Sequence, residues 1–161
     1  MIYAMQLLIE NIKKYIRLNP EEESVIKNWF VELNLNPGDY LLREGNVCRH
    51  VSFIEQGLLR YFFTDDGNEK TIYFNREDEF VCNYQSFLPK TSSDISIQAV
   101  EKTKLYVISY ENLQKFYSTI KEGERFGRLA IEFDSGRSLQ PSAQDVDGLQ
   151  RHSCGWPPPR P

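Results

Sequence analysis

Side chains that could act as nucleophiles or metal ligands are few in this 161-residue chain, which has two histidines and three cysteines. One histidine, His50, is followed by Ser52 and Glu55, between glycines at positions 45 and 57. This spacing echoes a metal-binding β-barrel, but Ser52 stands where such a barrel needs a second histidine. A single imidazole makes a poor ligand set. The sequence therefore predicts no catalytic residue and no metal site.

The cysteines Cys48, Cys82 and Cys154 form an odd and scattered set. Such a set favours reduced thiols in a cytoplasm over a disulfide framework, and each is interpreted as a small buried apolar side chain. No apolar run approaches the roughly 18 residues of a membrane span, and no secretion signal begins the chain. The net charge of −4 indicates no large basic field for nucleic acid. We expect a cytoplasmic protein without membrane contact.

Two helices are predicted at the start, before the elements that would position a site. Apolar residues between positions 5 and 16 repeat at three- and four-residue steps and so share one helix face. Asn19 can cap a second helix, Pro20 suits its first position, and Glu22 can reach back to the amide of the cap. The period then changes to that of strands.

Alternating apolar residues predict a series of short strands. The Asp66-Gly67 pair predicts a tight hairpin, because these residues tolerate the positive φ angles of a primed turn. Residues 80–90 are neither clearly strand nor clearly helix, and we expect there a connecting loop or a place for function. Ser109 is predicted to cap a short helix. The strand-like segments are 33–35, 40–42, 51–54, 58–63, 69–74, 95–100 and 104–108.

The end of the chain differs from its body. A helix is predicted to begin near Ile120 and to continue to about residue 132. Residues 133–161 hold five of the eight prolines, carry charges that sum to zero, and show no apolar period. Such a segment buries too little apolar surface to offset the entropy cost of ordering it. We interpret 1–132 as one domain and 133–161 as a disordered tail or a non-native, frameshift- or vector-derived one.

A known family shares this order of elements. The resemblance rests on the sequence NPGDYLLREG at 36–45, on VSFIEQGLLRYF at 51–62, on the Asp66-Gly67 hairpin and on LYVIS at 105–109. Over residues 5–132 the chain resembles the effector domain of the catabolite-activator and fumarate-nitrate regulator family of bacterial transcription factors. The resemblance implies a mainly β fold with flanking helices, an eight-stranded double-stranded β-helix (a jelly-roll-like β-roll) of the cyclic-nucleotide-binding type.

The same resemblance implies a role in regulation. It predicts a ligand-sensing domain for a small-molecule effector, with no resident cofactor and no enzyme activity. DNA would be bound only through a C-terminal domain that is missing here. The beginning of the family's dimerisation helix is present, so a homodimer is expected, weakened by the shortness of that helix.

The family's pocket suggests five binding residues. In the family, amides after a Gly-Glu-Leu element and an arginine hold the cyclic phosphate, and the glutamate holds the ribose. This chain has Cys82, Asn83 and Tyr84 in place of Gly-Glu-Leu, and Ile95 and Ser96 in place of Arg-Ser. These five are the candidate ligand-binding residues. Both charged ligands are absent, which makes tight binding of cyclic AMP doubtful.

Other side chains are candidates to alter that pocket. Lys90 or Arg60 would be the replacement for the missing cation. Tyr84, together with the neighbouring aromatic residues Phe74 and Phe87, would be able to close the pocket.

Two further functions stay open. One is a cupin-like metal enzyme built on the spacing around His50. The other is a ligand-free interaction module, because Tyr61, Phe62 and Phe63 in a row place aromatic rings on both faces of one strand.

Overall fold

The computed structural model describes residues 5–138, with side-chain surroundings through residue 130. This part of the chain contains five helices and eight strands. The helices are α1 (Gln6–Lys13), α2 (Pro20–Trp29), α3 (Tyr84–Phe87), α4 (Tyr110–Thr119) and α5 (Gly123–Ser138). The strands are β1 (Val31–Leu35), β2 (Tyr40–Leu42), β3 (His50–Gln56), β4 (Leu59–Asp65), β5 (Asn68–Asn75), β6 (Phe80–Val81), β7 (Ser96–Ala99) and β8 (Thr103–Ser109). Among these helices, none has both the length and the apolar character to traverse a bilayer.

The strands form two antiparallel sheets of four strands each. The first has the order β1-β8-β3-β6 and the second has the order β2-β7-β4-β5. Apart from β4 and β5, neighbours in each sheet are distant in sequence, and the chain passes repeatedly from one sheet to the other, as in a jelly roll. The predicted β-roll with flanking helices is confirmed.

N-terminal caps form at the start of two helices, α2 and α4, as predicted. The side chain of Asn19 accepts a hydrogen bond from the Glu22 amide at 2.8 Å, and the Asn19 amide donates to the Glu22 carboxylate at 3.0 Å. Ser109 accepts from the amide of Asn112 at 3.2 Å at the start of α4. Each cap satisfies amides that have no partner within the helix.

The Asp66-Gly67 turn joins β4 to β5 as a two-residue hairpin. Asp66 has a φ of 49° and Gly67 a φ of 77°, and the flanking residues Asp65 and Asn68 pair directly. Positive φ at both central residues matches the twist of the flanking strands.

Gly57 is required by a close approach between segments. Its φ is +113°, and a Cβ built there would lie 2.4 Å from Oγ1 of Thr103. Any larger residue would therefore meet both backbone strain and a steric clash. The glycine lets the β3–β4 connection pass against the start of β8.

Alternation along β3 divides its side chains between two environments. The Phe53 ring lies 5.1 Å from that of Phe80, which lies 5.5 Å from that of Phe126 on α5, so this face of the sheet is covered by helix. Ser52 pairs with Val81 and points to the opposite face, toward the second sheet. The side chain of Ser52 therefore faces the interior of the roll.

The three successive aromatic residues of β4 are buried or half-buried. Tyr61 and Phe62 are 9% and 2% exposed, and Phe63 packs against the core as a half-buried residue. The pairing of β4 with β5 shifts register between Tyr61 and Phe62. The extra residue of this bulge is Ile72 of β5, whereas β4 pairs with β7 without a shift, so Tyr61 and Phe62 point to opposite faces. Phe62 is buried because the Arg60 guanidinium lies 4.1 Å from the centroid of its ring and the Tyr40 ring lies 6.2 Å away.

Two segments differ from their predicted form. Residues 80–90 contain the short strand β6 and the single-turn helix α3 instead of a plain loop. The last helix begins at Gly123, because Ile120 ends α4 and its carbonyl accepts from the Gly123 amide at 2.9 Å. This helix extends to Ser138, beyond the predicted boundary at 132. Residues 139–161, which hold most of the predicted tail, lie outside the described residues.

Candidate functional site

A cavity of about 490 Å³ lies between the two sheets, at the end of the roll where β2, β3, β6 and β7 meet. Its buried apolar wall is formed by Leu42, Val81 and Ile97, which come from both sheets. Exposed residues of the β2–β3 loop, including Arg43 and Arg49, lie at its mouth. A cavity of this size that combines a buried apolar wall with polar residues at its mouth has the form of a small-molecule site.

Ser52 places a hydroxyl on this wall. The residue is 1% exposed and lines the cavity, and its Oγ has no hydrogen-bond partner among the described residues. Leaving a buried hydroxyl unpaired costs about 1–3 kcal/mol, so a native structure usually satisfies such a group. Ser52 thus brings a polar group without a partner to the apolar wall of the cavity.

The mouth of the cavity is positively charged. The Arg43 guanidinium stacks over the ring of Tyr40, with 3.7 Å between its carbon and the ring centroid. This contact orients the arginine at the entrance. Partial burial, followed by the charge of Arg49, lowers the pKa of His50 below its ordinary value. At neutral pH the two arginines therefore supply the charge and His50 is neutral.

Two thiols complete the wall. Sγ of Cys48 lies 4.0 Å from Sγ of Cys82, and both residues are buried and line the cavity. The hydrogen bond with Cys82 is the main cause that lowers the pKa of Cys48 to about 7. Burial acts in the opposite direction and raises this pKa, whereas the backbone amide of Asn83 lowers it further. A lowered pKa makes the thiolate of Cys48 more accessible than that of an ordinary cysteine.

The five predicted binding residues are buried and lie together around the β6–β7 segment, but only Cys82 lines the cavity. The Asn83 amide donates to Oγ of Ser93 at 2.7 Å, and that hydroxyl donates to the Ile95 carbonyl at 2.7 Å. Ser96 accepts a hydrogen bond from the Glu44 amide at 2.9 Å. The polar side chains of Asn83 and Ser96 thus bond to the protein itself. The binding role of the five residues stays a prediction.

Tyr84 and Phe87 pack inside the fold, with ring centroids 6.4 Å apart. Phe74, in contrast, is 51% exposed on β5, so the expectation that it closes the pocket is wrong. Its outward position follows from the alternation of β5 after the bulge.

The two candidate replacement cations point elsewhere. Arg60 donates to Gln98 at 2.6 Å and to Glu69 at 2.5 Å on the outer surface of the second sheet. Lys90 lies 4.2 Å from the centroid of the Tyr110 ring. Both expectations are wrong, because these side chains are bound by neighbours on their own surface.

A second hollow of about 500 Å³ lies outside the roll, between α1 and the β5–β6 turn. Asn75 Oδ1 there has no partner among the described residues, although its amide donates to Glu79 at 2.8 Å. Acidic and basic side chains are mixed along this surface, so its charges indicate no single class of ligand.

Sequence reasoning considered Ser52 only as a missing histidine and left out Arg43 and Arg49. The available signal was a serine at an inward position of β3, in the middle of the otherwise apolar run from Val51 to Ile54. Within residues 5–130, no three His, Cys, Asp or Glu side chains gather closely enough to hold a metal ion.

Comparison with known families and structures gives one family match. Residues 32–120 match the model described as the cyclic nucleotide-binding domain. Curated protein sequences yield no match to the chain.

Solved structures of low sequence identity share the fold. The Thermus thermophilus catabolite activator protein has a TM-score of 0.65 at 20% identity, and the match covers 87% of this chain and 63% of that one. The sensor domain of the transcriptional regulator DNR from Pseudomonas aeruginosa has a TM-score of 0.66 at 18% identity, with coverages of 91% and 93%. The c-di-GMP responsive regulator CLP from Xanthomonas campestris has a TM-score of 0.66 at 16% identity, with coverages of 82% and 65%. The chain thus spans less than two thirds of the Thermus protein.

Proposed function

Since the chain belongs to the cyclic nucleotide-binding domain family, we propose that it is the ligand-sensing domain of a transcription regulator of the catabolite-activator and fumarate-nitrate type. Its likeness to a catabolite activator and to the sensor domain of another regulator supports this role. In this proposal DNA is bound by a separate domain, α5 contributes to a homodimer, and the domain performs no catalysis.

The observation that carries the proposal is the unpaired hydroxyl of Ser52. It is 1% exposed and lies on the wall of a 490 Å³ cavity between the sheets. The hydroxyl gains a partner when a molecule with a hydrogen-bonding group fills the space. Binding that repairs a buried polar group favours the occupied state and so links the ligand to the stability of the roll.

Cyclic AMP is not the tight ligand in this proposal. The missing arginine alone removes a charge-assisted contact worth about 1.5–3 kcal/mol. Loss of the ribose-binding glutamate adds to this, so affinity falls by several powers of ten at about 1.4 kcal/mol per tenfold. The engagement of Asn83 with Ser93 supports this view, because its amide is already bonded.

The chemistry of the walls favours a small organic anion with an apolar body. Leu42, Val81 and Ile97 accommodate apolar groups, Ser52 offers the internal hydrogen bond, and the arginines at the mouth face a carboxylate. Exposed charge pairs contribute only about 0.2–1 kcal/mol each. Most of the binding free energy therefore comes from the apolar walls.

Thermal shift and calorimetry with benzoate, 4-hydroxybenzoate and octanoate test the proposal, with benzyl alcohol as a neutral counterpart and cyclic AMP as the family ligand. We expect the anions to raise the Tm and cyclic AMP to leave it unchanged. Ser52→Ala should weaken the binding of 4-hydroxybenzoate about fivefold, the worth of a hydrogen bond of about 1 kcal/mol, because the hydroxyl of this probe can reach the serine while its carboxylate faces the arginines. The same substitution should leave the binding of benzoate, which has no such hydroxyl, unchanged. Replacing Arg43 and Arg49 by glutamine should weaken the binding of each anion by a similar factor of about five.

Arg17→Gln is the matched control, because Arg17 is exposed and does not line the cavity. Binding of cyclic AMP at micromolar strength would show that the roles assigned to Asn83 and Ile95 are wrong. No response to any of the probes would favour an interaction module over an anion sensor.

A further inference from the structure

Two cysteine side chains that the sensing proposal does not use meet in the cavity wall. Cys48 lies in the loop between β2 and β3, and Cys82 directly follows β6. Their sulfur atoms are 4.0 Å apart although the residues are 34 positions apart in sequence. Both residues are buried and line the cavity.

The backbone around Cys48 is fixed against the segment that follows Cys82. The amide of Cys48 donates to Oγ of Ser86 on α3 at 2.8 Å, and that hydroxyl donates to the Thr91 carbonyl at 2.5 Å. The Gly45 amide also donates to the Ser93 carbonyl at 2.7 Å. The short distance between the thiols is therefore maintained by contacts on both sides of the pair.

The pair also has an order of reactivity. Because Cys82 and the Asn83 amide lower the pKa of Cys48 to about 7, Cys48 supplies the attacking thiolate. Cys82 is then the neighbouring thiol that can resolve an oxidised Cys48. This is the arrangement of a redox-sensing pair.

We propose that Cys48 and Cys82 form a reversible disulfide when hydrogen peroxide enters the cavity. The Cys48 thiolate attacks one peroxide oxygen, the O–O bond breaks, and the departing hydroxide takes a proton to become water. The resulting sulfenic acid is attacked by the Cys82 sulfur, which loses its proton. The S–O bond breaks, the S–S bond forms, and a second water leaves. Two thiols and one hydrogen peroxide thus give one disulfide and two waters.

Disulfide formation draws the sulfur atoms from 4.0 Å to about 2.05 Å. The β2–β3 loop then moves toward β6, and the cavity between them narrows. Oxidation itself does not depend on the sensing role. Its effect on effector binding, in contrast, rests on the function proposed above.

The test uses the full chain with Cys154→Ser, so that Cys48 and Cys82 are the remaining thiols. Protein is treated with a small excess of hydrogen peroxide, denatured, alkylated with iodoacetamide and measured as an intact mass. We expect the joint loss of two alkylatable thiols, a monomeric band on a non-reducing gel, and recovery of both thiols with dithiothreitol.

Two variants in the same background separate paired from independent oxidation. Cys82→Ser should lose one thiol and give a Cys48 sulfenic acid that dimedone traps. Cys48→Ser should keep its Cys82 thiol under the same treatment. Survival of both thiols in the parent, independent loss of each thiol, or a disulfide only between chains would overturn the proposal. None of these readouts involves benzoate, octanoate or cyclic AMP, so sensing can fail while the disulfide forms, and the reverse.

Discussion

Two adjoining regions of the roll treat their buried polar groups in opposite ways. In the segment from Asn83 to Ser96, which corresponds to the phosphate-binding region of the resembled family, hydrogen bonds within the protein engage the polar side chains of Asn83, Ser93 and Ser96. On the neighbouring cavity wall, the Ser52 hydroxyl is buried without a partner among the described residues. The first region is closed by its own contacts, whereas the second retains an unused hydrogen-bonding group.

The difference indicates where this chain has capacity to bind. Alignment with a family marks the positions at which relatives bind their ligands. Where the polar atoms at such a position are already hydrogen-bonded within the protein, few donors or acceptors are left for a ligand. A buried polar group without a partner favours the binding of a ligand that can form a hydrogen bond with it, because folding has already removed this group from water. Four substitutions test this contrast.

The largest effect is expected from placing a charge in the closed segment. Ile95 is 9% exposed, and Ile95→Arg brings in a guanidinium with no carboxylate assigned to it. A buried unpaired charge should cost about 3 kcal/mol or more in the free energy of unfolding. Urea denaturation measures this, with Ile95→Leu as a volume-conserving control expected to cost less than about 1.5 kcal/mol. An arginine variant as stable as the parent would show that this segment is open to solvent.

The second largest effect is expected from removing the Ser93 hydroxyl, which joins the hydrogen bonds of the closed segment. Ser93→Ala leaves the Asn83 side-chain amide and the Ile95 backbone amide without their common acceptor. We expect a loss of about 1–3 kcal/mol in unfolding free energy. Ser92→Ala, at an exposed neighbouring position, should change it by less than about 0.5 kcal/mol. Equal effects of the two substitutions would contradict the hydrogen-bond network.

The same substitution on the cavity wall should behave differently. Ser52→Ala removes a hydroxyl that has no partner, so stability should stay the same or rise by up to about 1 kcal/mol. The comparison with Ser93→Ala is direct, since both serines are buried. A destabilisation beyond about 1 kcal/mol would mean that Ser52 is bonded in the folded protein, and the contrast between the regions would fail.

The smallest effect concerns pH at the mouth of the cavity. Burial and the charge of Arg49 lower the pKa of His50, while Glu111 acts in the opposite direction. The unfolded chain therefore takes up this proton at a higher pH than the folded chain. The contribution of His50 to the free energy of unfolding is therefore fully present above about pH 6.5, and it is lost as the pH decreases through the pKa of the folded state. His50→Gln should reduce the difference in Tm between pH 8 and pH 5, and only slightly, because the imidazole is shielded from solvent in part; an unchanged difference would rule out this contribution.

Much of the fold was predictable because it depends on short-range chemistry. Asn19 and Glu22 form a capping box from residues three positions apart, and Asp66-Gly67 forms a hairpin from two adjacent residues with positive φ. The bulge at Ile72 of β5, opposite Tyr61 and Phe62, was not predictable in the same way. Register shifts of this kind depend on which strand becomes the partner and on how both pack.

The site was predicted less well. Of five residues chosen by resemblance, Cys82 lines the cavity, while Asn83 and Ser96 engage in internal hydrogen bonds. Arg60 was considered as a cation for the pocket, yet Gln98 and Glu69 bind it on the other surface of its sheet. Residue types and spacing do not reveal such partners.

The sequence by itself determined the order of helices and strands, their caps and the hairpin, because these depend on atoms within a few residues of one another. Tertiary structure alone decided which polar groups are satisfied and which thiols meet. Ser96 is engaged by the Glu44 amide across 52 positions, and Cys48 meets Cys82 across 34. Hydrogen bonds act over about 3 Å, so only the packing of distant segments determines which donors and acceptors come within reach.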